Sequence, residues 1–448
     1  MKTSTAPDTV EIIQDFDLFM RANGIRETDL TRTLTTQIHP DGVNQPLNCI
    51  AVSTPPQEGK TTWIVHYIAW QLIKNPWLRI VYASYSQARA NAVSRQVRAV
   101  VQQWTPLKRG SVTVGRWETL QGGGLLAAGR GSAMTGFSSD ITVVDDPVKD
   151  MQEAHSELIR ETTRTWFSSV VLTRMASRSQ IVIIATRWHK DDLIAHAIKE
   201  LDATYVNIPA QAVDNDDPLD RPIGEYLQSV QNRTTEMWEK IKRSVGTYVW
   251  QALYQGDPKV TGGSYIDTSK IDLIPWETIV HRDPRGFSTT TGNALVFQSW
   301  DLAFTGKGDY VAGQVWANIG GTLVLIDKVH GRFTFTQTVS EVQKMAARWP
   351  QTAKILVENA ANGAALIDTL KTRAALITPV TPRGGKEVRA LATQPMIEQG
   401  RVKVVDAVWD DTFKNELQEF PFAKHDDQVD AFTQAILSGK ADYFKMGD

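Results

Sequence analysis

Residues 53–61 read STPPQEGKT and close on Gly59-Lys60-Thr61. A phosphate-binding loop ends this way: backbone N–H groups cradle phosphates, the lysine reaches the β/γ-phosphates, and the hydroxyl binds Mg²⁺. Thr54 stands where such a loop usually has its first glycine, and Pro55, Pro56, Gln57 and Glu58 replace a glycine run before Gly59, Lys60, Thr61 and Thr62. An incidental surface turn carries the same letters. A second signal, DITVVDDP, is an apolar run ending in Asp145 and Asp146. Asp145 suits a Mg²⁺ ligand, and Asp146 suits a group that orients or deprotonates an attacking water. The plain alternative is a strand that ends in an N-capping aspartate. In QIVIIATR, Thr186 is placed to sense a terminal phosphate, or simply ends a strand.

A separate set of carboxylates follows. Asp301 lies in QSWDLAF, Glu358 ends KILVE, and AKHDDQVDAF carries Asp427 and Asp430 three residues apart on one helix face, with Asp426 expected to point elsewhere. Like charges so placed repel unless a cation sits between them. Oxygen-only ligands suit Mg²⁺ or Mn²⁺. Two such ions, roughly 3.5–4 Å apart, activate water and stabilise the leaving 3′ oxygen in phosphodiester cleavage. Lys424 and His425 precede that helix, within reach of a scissile phosphate. His425 reads equally well as an ordinary surface histidine.

The elements that must position these groups alternate. LNCIAVS, LRIVYAS, DITVVDD and SQIVIIATR are short β-rich runs. Between them, KTTWIVHYIAWQLIKN and SQARANAVSRQVRAVVQQW have helical apolar spacing, the first stopped by Pro76. The pattern predicts an α/β domain with a mainly parallel sheet. The turn-rich QGDPKVTGGS marks a boundary. Three closely spaced strands follow (ALVFQSWDLAF, VAGQVWANI, GTLVLIDKV), then AKILVEN and RVKVV alternating with helices around 334–349, 362–373, 385–399 and 411–438. That order suits a mixed sheet of the ribonuclease H type. The domains read as a helical segment or lid over 1–46, a nucleotide-binding domain over 47–255, a linker over 256–264 and a second domain over 265–448.

Composition is that of a globular chain: 448 residues, 42% hydrophobic and 22% charged, with a net charge of −2 and one cysteine. This excludes a disulfide framework and a cysteine-based zinc site. The first residues do not read as a signal peptide, and no run is long and apolar enough for a membrane helix.

Together, PPQEGKTT, VVDDPVKD, ATRWHKDDL, YVWQALYQGDP and FPFAKHDDQVDAF resemble the large terminase subunit of tailed double-stranded DNA bacteriophages, over about Leu47 to Leu437. The resemblance implies a P-loop packaging ATPase followed by a ribonuclease H-like nuclease. Lys60 and Thr61 match the phosphate loop, Asp145 the metal-binding acid, Asp146 the catalytic acid and Thr186 the coupling motif. Asp301, Glu358 and Asp427 match the nuclease metal ligands, with Asp430 as a fourth. Two departures stand out: Gln57 where many relatives have arginine, and Asp146 where glutamate is commoner. The implied cofactors are ATP with Mg²⁺ in one site and two Mg²⁺ or Mn²⁺ in the other. The implied partners are double-stranded DNA, the procapsid's portal protein, a small terminase subunit and other copies of the chain in a ring, five-membered on the portal, with ATP bound between subunits. The implied location is the host cytoplasm, docked transiently on the procapsid and absent from the mature virion.

An ATPase of this kind uses an arginine to stabilise charge on the transferred phosphate. Arg130, in LLAAGRGSAMTG, is the candidate, with Arg187 its rival; the alternative is a mobile-loop arginine touching only water or DNA. Arg383, Lys386 and Arg389, with Lys424, form the candidate DNA-binding cluster; such runs are also ordinary solvated helix faces. Trp70, Trp77, Trp104 and Trp250 read as core. Two other functions compete: a helicase–nuclease of repair or recombination, and a packaging component with decayed sites. Residues 256–448 show no second nucleotide-binding pattern, and every acid and Lys60 are intact.

Overall fold

The computed structural model describes residues 9–38, 47–134, 136–259, 265–284, 286–302, 310–359, 369 and 376–445. The chain divides into two compact units, residues 1–241 with 249–259 and residues 242–248 with 260–448.

The first unit is built on eight strands: β1 (Asn48–Ser53), β2 (Arg79–Ser84), β3 (Leu107–Val112), β4 (Arg116–Thr119), β5 (Gly124–Gly129), β6 (Ser139–Asp145), β7 (Met175–Ala185) and β8 (Thr204–Asn207). They lie in the order β3-β4-β5-β2-β6-β7-β1-β8, parallel from β5 to β8. The central strands are apolar along their whole length because both faces are covered. Along β1, Ile50 and Val52 enter one core and Cys49 and Ala51 the other, the alternation that a strand imposes.

Helix α1 (Thr9–Gln14), α2 (Phe16–Ala22) and α3 (Asp29–Gln37) form the N-terminal segment. Helix α4 (Lys60–Lys74) follows β1, and α5 (Gln87–Trp104) follows β2. Helix α4 is apolar nearly all round and is buried from Trp63 to Leu72. It also carries the N-terminal helices: Trp63 Nε1 donates to Thr35 Oγ1 (3.2 Å), Trp70 Nε1 donates to the Ile13 carbonyl (2.8 Å), and Phe16 packs edge-on against Trp63. Each such side chain, fully buried, stabilises the fold by about 1.5–3 kcal/mol. Trp70 and Trp250 are core and Trp104 is partly buried, but Trp77 is 62% exposed. It sits beyond the end of α4, in the Asn75-Pro76 turn, so no helical face carries it inward.

The second unit holds β9 (Asp272–Ile274), the hairpin β10 (Val280–Asp283) and β11 (Gly286–Thr289), β12 (Leu295–Leu302), β13 (Val311–Ile319), β14 (Thr322–Gly331), β15 (Thr352–Glu358), β16 (Ile377–Val380) and β17 (Val402–Val405). Its main sheet runs β16-β15-β12-β13-β14-β17-β9. Strands β12, β13 and β14 form the expected antiparallel meander, and β15, β16, β17 and β9 join in parallel. The helical stretch expected over 411–438 is two helices, Asp411–Glu419 and Asp427–Lys445. Pro421 cannot continue a helix and pushes Phe420 into extended backbone. The helix expected over 362–373 lies outside the described residues, apart from Thr369. Among the described residues no helix is long and apolar enough to cross a membrane.

Candidate active sites

The opening loop lies between β1 and α4, as a phosphate cradle requires. Gln57 and Gly59 have φ of 64° and 91°, a left-handed turn that aims the first N–H groups of α4 outward. Lys60 Nζ bonds Asp146 Oδ1 (2.5 Å) and Thr186 Oγ1 (2.9 Å), while Thr186 N also donates to Asp146 Oδ1 (3.0 Å). Asp146 reaches both because its own backbone is left-handed, φ 44°, an uncommon state for a residue with a side chain. Beside it, Thr61 Oγ1 donates to Asp145 Oδ2 (3.3 Å), which also accepts from the Tyr82 hydroxyl (2.8 Å). Burial raises the Asp145 pKa, and the Asp146 charge raises it further. Asp145 Oδ1 is buried with no hydrogen-bond partner. An orphaned carboxylate oxygen beside a threonine hydroxyl fits a Mg²⁺ ion or its coordinated water.

Lys60, Thr61, Asp146 and Thr186 open onto a cavity of about 640 Å³, with Asp145 and Tyr82 buried behind Thr61. Pro56, Gln57, Gly59, Lys60, Thr61 and Thr62 line it; Thr54, Pro55 and Glu58 do not. Glu58 turns inward instead, accepting from Ser229 Oγ (2.9 Å), Val230 N (3.0 Å) and the Arg233 guanidinium. Arg233 Nη2 also donates to Gln57 Oε1 (3.3 Å), so a distant turn pins the loop. Gly24, Ile25, Arg26, Thr28 and Thr31 complete the wall from the N-terminal segment, and Arg89 faces the cavity from α5. Arg26, Tyr82, Arg89 and Arg233 belong to no local sequence motif; what marks them is their position in space.

Arg130 lies in the turn that follows β5, and β5 pairs with β2 within the sheet. Its guanidinium is held by Glu153 (3.1 Å) and by Thr163 Oγ1 (3.4 Å), and it does not line the cavity. Arg187 grips Asp192 with two bonds (2.9 and 3.1 Å), supporting the turn after Thr186 from within.

In the second unit, β12 and β15 run parallel with Trp300 opposite Val357, so Asp301 and Glu358 come next on neighbouring strands. The helix Asp427–Lys445 is laid across them: Ser299 Oγ donates to the Ala431 carbonyl (2.8 Å), and Gln434 Nε2 donates to Ser299 Oγ (3.0 Å). Glu416, another residue missed in sequence, caps this helix by accepting from Gln428 N (2.6 Å) and Val429 N (3.3 Å). Burial holds Asp301 well above the usual carboxylate range, and Asp430, Asp427 and Glu358 push it further. Burial pushes Asp427 up to about 6. Asp301 therefore feels the other three acids.

Among the described residues, no three acids or histidines close a metal cage. Protein cations hold two of the acids. Arg389 bonds Asp430 (2.7 Å) and Glu358 (3.4 Å), and Lys386 bonds Asp430 (2.8 Å) and Asp426 (2.6 Å). Asp426 thus shares a lysine with Asp430 rather than pointing elsewhere. Lys386 and Arg389 belong to the carboxylate site, whereas Arg383 and Lys424 are exposed. The donors are oxygens only, and their mutual repulsion is what a divalent cation relieves, so Mg²⁺ or Mn²⁺ fits the chemistry of the set.

The family described as terminase large subunit, T4likevirus-type, N-terminal, matches residues 52–273, and the terminase RNaseH-like domain matches residues 298–438. The large terminase of a thermophilic bacteriophage, solved in several crystal forms, is similar in fold. Its crystal form 2 has a TM-score of 0.51 at 12% identity, covering 92% of this chain and 99% of that one. Crystal form 3 has a TM-score of 0.50 at 11% identity, covering 92% and 98%. No curated protein matches the chain.

Proposed function

Since the chain belongs to the large terminase subunit family, with the ATPase and nuclease domains of a phage DNA-packaging motor, we propose that it hydrolyses ATP to drive double-stranded DNA into a procapsid and cuts concatemeric DNA. The observation that carries this reading is the convergence of Lys60, Thr61, Asp146 and Thr186 on one cavity, with Asp145 buried directly behind Thr61.

Lys60 rests on Asp146 and Thr186. An incoming triphosphate competes for that ammonium as a stronger anion. As Lys60 moves to the β/γ-phosphates, Asp146 is uncovered to orient and deprotonate water, and Thr186 loses its donor. Binding is thereby reported to the strand end after β7, which is the coupling role. Thr61 and Asp145 would hold Mg²⁺, which would neutralise charge on the phosphates.

In the second unit Asp301, Glu358, Asp427 and Asp430 would hold Mg²⁺ or Mn²⁺, which would supply activated water and stabilise the leaving oxygen. Lys386 and Arg389, which hold these acids, would share DNA phosphates with the exposed Arg383 and Lys424. His425 lies two residues before Asp427, at the same helix start. The partners are the portal protein, a small terminase subunit and further copies in a five-membered ring, with the work done in the host cytoplasm. The test is direct: purified protein is given ATP and supercoiled plasmid with Mg²⁺ or Mn²⁺. ATP hydrolysis and plasmid linearisation support the reading. Loss of both in folded protein favours a decayed structural component.

A further inference from the structure

We propose that Arg89 is a catalytic arginine supplied from within the same chain, which leaves Thr61 to bind the terminal phosphate of ATP. The inference rests on the ATPase reading above and names a residue outside all of its motifs. Arg89 lies in the first turn of α5, where Ser86 Oγ caps its backbone N–H (3.2 Å). Its side chain crosses to α4 and donates from Nη2 to Thr61 Oγ1 (3.1 Å). It lines the cavity together with Lys60, Thr61, Tyr85 and Asp146.

A cation in the first turn of a helix opposes the helix dipole. Here Lys60, at the start of α4, and Arg89, in the first turn of α5, line the same cavity. That accumulation is stabilised by a polyanion, and the nearby acids supply only part of the compensation. The hydroxyl of Thr61 donates to Asp145 and accepts from Arg89. A nucleotide-bound cation that takes a lone pair of Thr61 also repels the guanidinium. The terminal phosphate is then its nearest strong acceptor, and a planar fork of donors suits it.

The helix start is fixed for this task. Gln87 accepts from Gly129 N (2.9 Å) and donates to the Ala127 carbonyl (2.9 Å). A Cβ on Gly129 would lie 2.4 Å from Gln87 N, so the close approach requires glycine. Arg130, by contrast, is committed to Glu153.

The test compares wild type, Arg89→Ala and Arg89→Gln in the full chain. Steady-state ATPase is measured alongside binding of fluorescent ADP and of a fluorescent, slowly hydrolysed ATP analogue. Arg89→Gln keeps a donor for Thr61 but loses the charge. The expected result is a fall in kcat of about 100-fold or more in both variants, in line with the worth of catalytic arginines. Affinity for the triphosphate analogue should fall about tenfold more than affinity for ADP. Equal losses for ADP and analogue, unchanged kcat, or recovery of kcat in Arg89→Gln would each make Arg89 a structural support and overturn the proposal. If Arg89→Ala does not fold, Arg89→Gln alone decides by the same two readouts. A wild type without ATPase activity sinks the underlying reading instead.

Discussion

Arg389→Ala removes a cation from the second carboxylate site. Arg389 and Asp430 are buried and 2.7 Å apart, with side chains 10% and 7% exposed. Stripping one partner from a buried pair costs about 3–5 kcal/mol. Asp430 keeps Lys386 at 2.8 Å, so the expected loss is smaller, about 2–3 kcal/mol. For a unit of this size that lowers Tm by roughly 4–12 °C. The loss should depend on pH. Burial raises the Asp430 pKa while Lys386 and Arg389 lower it, and the net shift is upward. Removing Arg389 raises it more. A carboxyl with a raised folded pKa binds its proton more tightly when folded. The stability it contributes is therefore complete below the unfolded value of about 3.9 and is lost as pH rises through the folded value. The gap between variant and wild type should then be smaller at pH 5 than at pH 8, and Mn²⁺ should narrow it at pH 8. The assay is scanning calorimetry of the full chain at both pH values, with and without Mn²⁺. An equal penalty at pH 5 and pH 8, or none, would refute the assignment of Arg389 as the counter-ion of these acids.

Arg233→Ala leaves Glu58 buried without its guanidinium, and should cost about 3 kcal/mol by denaturant unfolding while raising the KM for ATP, because the loop loses its distant anchor. Gly313→Ala would place a Cβ 2.6 Å from the buried Trp300 ring, next to Asp301; a loss of about 1–3 kcal/mol in thermal unfolding and slower plasmid cleavage are expected.

The parallel sheet, α4, α5 and the second unit's meander were legible in sequence, because buried strands and amphipathic helices have distinct periods. The acids were legible because each ends a strand or opens a helix. The strand at Gly124–Gly129 was not, since its glycines and alanines lack β-branched side chains; close approach to Gln87 and to the Trp117 carbonyl requires them small. Lys386 and Arg389 read as a DNA-facing cluster, because sequence shows where cations lie along a helix but not the acids opposite. Arg89 and Arg233 act on the phosphate loop across 28 and 175 residues of chain, which no local motif spans.

The central claim is that two separate engines share the chain, and a pair of substitutions measured on both activities tests it. Lys60→Ala should abolish ATP hydrolysis and leave Mn²⁺-dependent plasmid cleavage intact, because its ammonium bonds Asp146 and Thr186, both in the first site. Asp301→Ala should do the reverse, because Asp301 sits within the field of Glu358, Asp427 and Asp430 and belongs to the second site alone. Loss of both activities from either single substitution, in protein shown to be folded, would contradict the account.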